Sequence, residues 1–181
     1  EKADEARECY KEQFENVPDL YNTSLPTNKV TFIHNPIERF SKEPWVWHEL
    51  VQLCKGAKDS VFIQSPYIVP SKKMVKGFVS KEDIENKNIT FLTNSLASTP
   101  NIPAFSGYQN YRKKIVDQKI KILEIQTSDS VHSKAFVIDS DMVAIGSFNL
   151  EARSAFLSTE SMVVIHSEEV TEQFGKNIET Y

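Results

Sequence analysis

The sequence has little cysteine, no long apolar run and no excess of positive charge. Cys9 and Cys54 are its two cysteines among 181 residues, and they show no metal-ligand spacing, so a disulfide framework is not expected. No apolar stretch approaches the roughly 20 residues that span a bilayer. The net charge of −4 excludes a global basic field that would gather nucleic acid or anionic membrane, although a local basic site stays open.

The amino terminus and the composition indicate a folded domain taken from a longer protein. The opening residues 1–5 have no signal-peptide character, and the first residue is not Met, so we expect a fragment. We expect the protein to be cytoplasmic or a peripheral membrane protein. A hydrophobic fraction of 40% and a charged fraction of 25% are ordinary for a globular domain with its own core.

Strands and helices alternate along the chain after a predicted helix over 3–17 and a linker over 18–28. Further helices are predicted from Pro44 to Lys55, after a capping Ser71 with Met74, Val75 and Phe78 buried, around Phe105–Ile115, and after a capping Ser167. Strands are predicted over 30–33, 60–64, 89–92, 120–125, 131–139, 142–145 and 158–165. We therefore expect a layered α/β domain with a central mixed sheet flanked by helices.

One window holds an unusual set of polar residues. A histidine and a lysine on one strand usually form only a polar face, and Gly-Ser-x-Asn by itself is an ordinary turn. The full pattern is much harder to reach by chance, and we interpret it as a site for a phosphodiester. It reads H-x-K-x4-D-x6-G-S-x-N, from His132, Lys134 and Asp139 to Gly146, Ser147 and Asn149.

The residue types in this window suit phosphate chemistry without a metal or a cofactor. Residues two apart on a strand share a face, so His132 and Lys134 should project together, about 7 Å apart. Lys134 offers three N–H donors to phosphoryl oxygens, and Asn149 and Ser147 offer an amide and a hydroxyl. His132 can attack phosphorus or move a proton near neutral pH. Gly146 is predicted to allow the turn that brings Asn149 back.

Two carboxylates are predicted to orient the site. Asp139 is too far along its strand to touch a phosphate, so we expect it to pair with a nearby cation. Glu160 follows His132 by 28 residues and lies in the predicted strand over 158–165. A carboxylate there would accept the second ring N–H of His132 and select its tautomer.

With these residues the chain resembles the phospholipase D superfamily. The six motif residues match the family's positions, and Glu160 stands where the family keeps its His-orienting acid. The likeness runs from about Val30 to the end. Segments similar to the C-terminal half of bacterial cardiolipin synthase-type members are Ser65–Pro70, Leu92–Thr99, Gly107–Lys113 and Phe148–Ser154.

The resemblance implies a pseudo-dimer of two halves, each giving one motif to a shared site. One histidine forms a phosphohistidine, and the other protonates the leaving alcohol and then activates a second alcohol or water. By analogy His132 is the general acid/base. The first motif is absent, and we interpret His34, His48 and His166 as structural or surface residues. Either residues 1–28 are the tail of a preceding half, which we favour, or two copies form a homodimer; the isolated chain should be inactive.

Several residues outside the motif are candidates for substrate binding. Tyr67, Asn94 and Ser95 follow predicted strands, and ligands of open α/β sheets bind at the carboxyl ends of strands. The alternative for these three is plain turn chemistry. Arg153 either binds a second phosphate or pairs with an acid such as Glu151, and we lean towards the structural role.

The leading functional interpretation is an enzyme of lipid metabolism, a phosphatidyltransferase or phospholipase acting on phosphatidylglycerol-like substrates. A homodimeric nuclease is the runner-up, which the acidic net charge disfavours. A non-catalytic module is the third possibility, which the intact motif disfavours. Lys72, Lys73 and Lys76 are interpreted as a solvated helix face, with contact to an anionic bilayer as the alternative. Trp45 and Trp47 are either core residues or interface anchors.

Overall fold

The computed structural model describes residues 2–9, 11, 19–78 and 86–178, so positions 10 and 12–17 of the first predicted helix lie outside the described residues. In these ranges no helix is long and apolar enough to cross a bilayer. The helices here are α1 (Lys2–Cys9), α2 (Trp45–Gly56), α3 (Lys72–Phe78), α4 (Ile102–Asp117), α5 (Ala152–Phe156) and α6 (Glu168–Ile178). The strands are β1 (Lys29–His34), β2 (Ser60–Gln64), β3 (Ile68–Val69), β4 (Asn88–Asn94), β5 (Lys121–Ile125), β6 (Lys134–Ile138), β7 (Met142–Gly146), β8 (Leu150–Glu151) and β9 (Ser161–His166).

Seven strands form one mixed sheet in the order β1-β9-β7-β6-β2-β4-β5. Strands β2, β4 and β5 are parallel neighbours, and every other pair in this sheet is antiparallel. Strands β3 and β8 pair separately as a small parallel sheet. The predicted α/β architecture with a central mixed sheet is therefore confirmed.

Local sequence signals account for the starts of two helices. The hydroxyl of Ser71 accepts the N–H of Met74 at 3.3 Å, and Ser167 caps α6 in the same way. Met74 and Phe78 are buried as predicted because they lie one turn apart on α3. Val75 is 39% exposed, so its predicted burial is wrong: one position after Met74, it lies towards the solvent side of the helix.

The two faces of the sheet are covered unequally. Helices α2 to α5 pack on one face and form the main core with strand residues such as Ile63, Phe91, Phe136 and Met162. The other face carries a small cluster of Leu92, Ile125 and Val131, with Phe62 and Ile178 of α6 against it. Val131, the residue before the motif histidine, is therefore held in an apolar contact.

One edge of the sheet collects the strand ends that flank the motif. Gln64, the last residue of β2, pairs with Ala135 of β6 and with Leu92 near the end of β4. Lys134, the first residue of β6, pairs with Gly146, the last residue of β7. The start of β9 joins the same edge, since Gly146 also pairs with Met162. Residues distant in sequence therefore meet here.

Candidate active site

His132 lies just outside the strand that was predicted to contain it. Strand β6 begins at Lys134, because the neighbouring strands β2 and β7 end there and leave residues 131–133 without a strand partner. The side chain of Asn94 takes the place of that partner. Its Oδ1 accepts the N–H of Val131, and its Nδ2 donates to the carbonyl of Val131, both at 2.9 Å. Asn94 thus positions the His132 segment, and both polar atoms of its amide are engaged.

His132 and Lys134 come together as predicted, although only Lys134 is in the strand. Lys134 Nζ lies 3.1 Å from Nδ1 and 3.2 Å from Nε2 of His132, and it donates a short hydrogen bond to the His132 carbonyl. Lys134 is 6% exposed, whereas His132 is exposed. Burial lowers the pKa of the Lys134 amine, and the charges of Glu160 and Glu151 oppose this shift. A desolvated ammonium beside an accessible imidazole suits an anionic ligand.

Glu160 is held by two hydroxyl groups. Ser147 Oγ donates to its Oε2 at 2.5 Å, and Ser154 Oγ donates to its Oε1 at 2.8 Å. Among the described residues the predicted hydrogen bond between the His132 ring and Glu160 is not formed, since the ring contacts the Lys134 amine instead. Ser154 is fully buried, and no spacing in the sequence marks it; helix α5 turns it towards Glu160.

Asn35 secures the backbone of the same segment and was overlooked in the sequence. Its N–H donates to the carbonyl of Glu160 at 2.8 Å, and its Nδ2 donates to the carbonyls of Ser154 and Ser158. Its Oδ1 accepts the N–H of Val46 at 3.1 Å, and the residue is fully buried. Asn35 therefore ties the end of β1 and the start of α2 to the chain that carries the acid.

Asn149 contacts the carboxylate of Glu151, which the sequence suggested only as a possible partner of Arg153. Asn149 Nδ2 donates to Glu151 Oε1 at 3.4 Å, while its own Oδ1 is buried without a hydrogen-bond partner in the described part of the chain. Burial raises the pKa of the Glu151 carboxyl, and the Asn149 hydrogen bond and the charges of Arg153 and Lys134 oppose this shift. The charge of Arg153 acts on Glu151, and the structural role of Arg153 stays a prediction. The charges of Glu151 and Glu160 both act on the Lys134 ammonium.

Gln64 is a second buried amide at this edge. It is 2% exposed, and its Nε2 donates a short hydrogen bond to the hydroxyl of Ser133, next to His132. Its Oε1 has no partner among the described residues. Gln64 Oε1 and Asn149 Oδ1 are therefore two buried side-chain acceptors that lack a hydrogen-bond partner among the described residues.

Gly146 is required by packing rather than by a turn. No glycine in the described ranges has a positive φ, so the predicted conformational reason is wrong. A Cβ at Gly146 would lie 2.1 Å from the carbonyl oxygen of Ser161 and 2.8 Å from the Cα of Met162. Strand β9 approaches this closely because Ser147 and Ser161 exchange hydrogen bonds beside it.

Asp139 lies at the opposite end of β6 from Lys134. Its carboxylate accepts the backbone N–H groups of Lys58, Asp59 and Ser60, each at 2.9 Å, and the charge of Lys58 also acts on it. Partial burial acts to raise its pKa, but these three donors and the Lys58 charge together outweigh that effect and lower it. Its φ of 51° is left-handed, which aspartate tolerates. Asp139 therefore anchors the start of β2, away from the other motif residues.

Tyr67 and Ser95 follow the carboxyl ends of β2 and β4, as predicted, and they make different hydrogen bonds. Tyr67 is half-buried, and its carbonyl accepts the hydroxyl of Ser65 at 2.7 Å. Ser95 is 5% exposed, and its N–H donates to the hydroxyl of Ser98 at 2.9 Å. The contacts of Ser95 are those of a turn, and substrate binding by either residue stays a prediction.

A family model and a named relative both relate the chain to cardiolipin synthases. The family described as cardiolipin synthase, PLD-like domain, matches residues 50–181. An uncharacterised protein of Helicobacter pylori strain J99 is 37% identical over 159 residues, which cover 80% of this chain and 30% of that protein. Cardiolipin synthase C of Escherichia coli K12 is 29% identical over 144 residues, covering 70% of this chain and 30% of that protein. The chain thus spans about 30% of the length of these two relatives.

A solved structure shares the fold. A phospholipase D family member, Nuc from Salmonella typhimurium, superposes with a TM-score of 0.62 at 18% identity. The match covers 84% of this chain and 92% of that chain. At this level of identity the likeness establishes the common fold and nothing finer.

Proposed function

We propose, because this chain belongs to the family of PLD-like domains of cardiolipin synthase, that it supplies one half of a phosphodiester-transfer site acting on phospholipids. The proposed domain begins near residue 29, where β1 starts. The substrate we propose is a phosphatidylglycerol-like lipid, reached by a protein that associates with the membrane surface. The cardiolipin synthases among its relatives support this substrate class.

The convergence of five side chains at one edge of the sheet is the observation that carries the proposal. They come from the start of β6 and the residues just before it, from the segment after β7 and from the segment before β9, and they include the buried Lys134 ammonium. Lys134 and the Asn149 amide would hold the phosphoryl oxygens, while Ser147 keeps Glu160 beside them. The five residues are His132, Lys134, Ser147, Asn149 and Glu160.

The proposed reaction is a double displacement at phosphorus. A histidine of the other half attacks phosphorus, the bond to the leaving alcohol breaks, and a phosphohistidine forms. His132 gives its proton to the leaving oxygen. It then removes a proton from the incoming alcohol or water, whose oxygen attacks the phosphohistidine and frees the histidine nitrogen. Exposure of His132 supports this role, because a proton carrier must reach both the leaving and the incoming oxygen.

The second histidine must come from outside this set of residues. One imidazole cannot be both the nucleophile and the proton donor on opposite sides of one phosphorus. We propose the preceding half of the same protein as its source, with a homodimer mate as the alternative. The purified monomeric chain should accordingly show no turnover, and measurable turnover by the monomer would contradict the two-half site.

The test uses the encoded protein at full length, incubated with phosphatidylglycerol vesicles in EDTA and followed by thin-layer chromatography. We expect a phosphatidyl-transfer or hydrolysis product. His132→Ala should lower the rate by about 10²–10⁴-fold, the usual share of a general acid/base. His48→Ala, an exposed histidine on α2, is the matched control and should leave the rate unchanged.

Three outcomes separate the alternatives. A lipid product lost with His132 supports the proposal. Nicking of plasmid DNA without a lipid product would indicate the nuclease interpretation, in which two copies of His132 meet. Neither activity, in a protein that melts cooperatively, would indicate a non-catalytic module.

A further inference from the structure

A cavity of about 470 Å³ lies between α3 and α4, separate from the motif residues. None of the five site residues lines it, although Leu150 in its wall directly follows Asn149. The volume falls within the roughly 300–1,000 Å³ of small-molecule sites. Its apolar wall is built by Trp47, Met74, Phe78, Phe91, Ile115 and Leu150.

Three lysines stand at the mouth of this cavity. Lys72 and Lys76 lie one turn apart on α3, and Lys114 of α4 lies 5.8 Å from the ring centroid of Tyr111. Among the described residues, none of the three forms an ion pair with a carboxylate. The acid in the lining, Asp117, pairs with Lys113 at 3.0 Å instead.

We propose that this cavity binds the acyl chain of an anionic lipid, with the negatively charged head held by Lys72, Lys76 and Lys114. Binding a hydrocarbon chain against the apolar wall is favourable because it removes apolar surface from water. The ammonium groups at the rim attract an anionic headgroup. The aliphatic parts of the same lysine side chains cover the edge of the apolar surface. A ligand that is apolar at one end and anionic at the other satisfies both parts at once, whereas a polar metabolite would leave the wall uncovered.

This site is distinct from the proposed catalytic site and does not depend on it. The proposed phosphodiester site lies at the edge of the sheet, whereas the cavity lies within the helical layer on one face. From the sequence, the lysines of α3 are interpreted as a solvated helix face. In this proposal Lys72 and Lys76 instead bind the lipid headgroup. Lys73 lies on the same helix, is exposed and does not line the cavity.

Trp47 offers a direct readout because it lines the cavity and is 7% exposed. The chain has two tryptophans, and Trp45 is 49% exposed, so Trp45→Phe leaves one reporter. We expect bromostearate to quench Trp47 fluorescence saturably. Lysophosphatidylglycerol with a brominated chain offers a phosphodiester headgroup in place of the carboxylate. The probe that binds more tightly shows whether a phospholipid or a free fatty acid is the ligand. The neutral brominated alcohol of equal length should bind more weakly.

Two variants separate the wall from the rim. Val75→Phe places a larger side chain at the partly exposed mouth and should abolish quenching. Lys72→Gln with Lys76→Gln should weaken binding about threefold to tenfold, as expected for two exposed charge contacts. Lys73→Gln with Lys55→Gln removes the same charge away from the cavity and should leave binding unchanged. Circular dichroism and melting curves verify that each variant is folded.

The results decide in either direction. Saturable quenching that both cavity variants reduce, and that the control variant retains, supports the site. Absence of quenching, equal quenching by the neutral alcohol, or a cavity variant that binds like the control would overturn the proposal.

Discussion

Gly146→Ala tests how tightly the site edge is packed. The added methyl group would lie 2.1 Å from the carbonyl oxygen of Ser161, 2.7 Å from Met162 Sδ and 2.8 Å from Met162 Cα. The thioether can move, but the other two atoms belong to the backbone of β9. The strands β7 and β9 must therefore separate locally, which strains the hydrogen bonds that hold Ser147 beside Glu160.

The size of the effect distinguishes two explanations of this glycine. Overpacking a core costs about 1–3 kcal/mol, and backbone obstacles place this site at the upper end, about 3 kcal/mol. For a domain of this size each kcal/mol lowers the melting temperature by about 2–4 °C, so we expect a loss of about 6–12 °C. If the glycine served only for flexibility at an ordinary φ, alanine would instead stabilise by about 0.4–1 kcal/mol.

Thermal and urea unfolding of the purified chain measure this difference. Gly175→Ala is the matched control, because nothing lies within 4 Å of its added Cβ and it sits inside α6. We expect the control to gain about 0.5–1 kcal/mol from helix propensity. A Gly146→Ala variant that melts with the wild type, or above it, would refute the packing argument.

Two further substitutions test the hydrogen bonds that Asp139 and Asn94 make to the backbone. Asp139→Asn replaces the carboxylate that accepts three backbone N–H groups and should cost about 1–2 kcal/mol in urea unfolding. Because its folded-state pKa is lowered, this stabilisation is present above about pH 4 and is lost as the pH falls through the folded pKa. Wild type and variant should therefore converge in acid, and a constant difference would contradict the assignment. Asn94→Ala removes both hydrogen bonds to Val131, so amide exchange there should accelerate while exchange in β2 stays slow; unchanged exchange at Val131 would contradict the positioning role.

The sequence by itself determined the features that depend on near neighbours. Ser71 and Ser167 cap helices through the N–H three positions later, a contact that needs no tertiary structure. Strand β2 was predicted over 60–64 and is found there, because apolar residues bounded by turn residues describe a buried strand. The residue types of the motif likewise indicated phosphate chemistry, since donors and an imidazole retain their chemistry in any fold.

The tertiary structure alone decided how those groups are held. Asn35 reaches Ser154 across 119 positions, and Asn94 reaches Val131 across 37, because the order of strands in the sheet brings distant segments to one edge. The same order places β9 against Gly146. The lysine-rimmed cavity also depends on helix packing, since its wall is drawn from α2, α3, α4 and two sheets. Local patterns cannot encode these choices, because each one depends on which strands become neighbours.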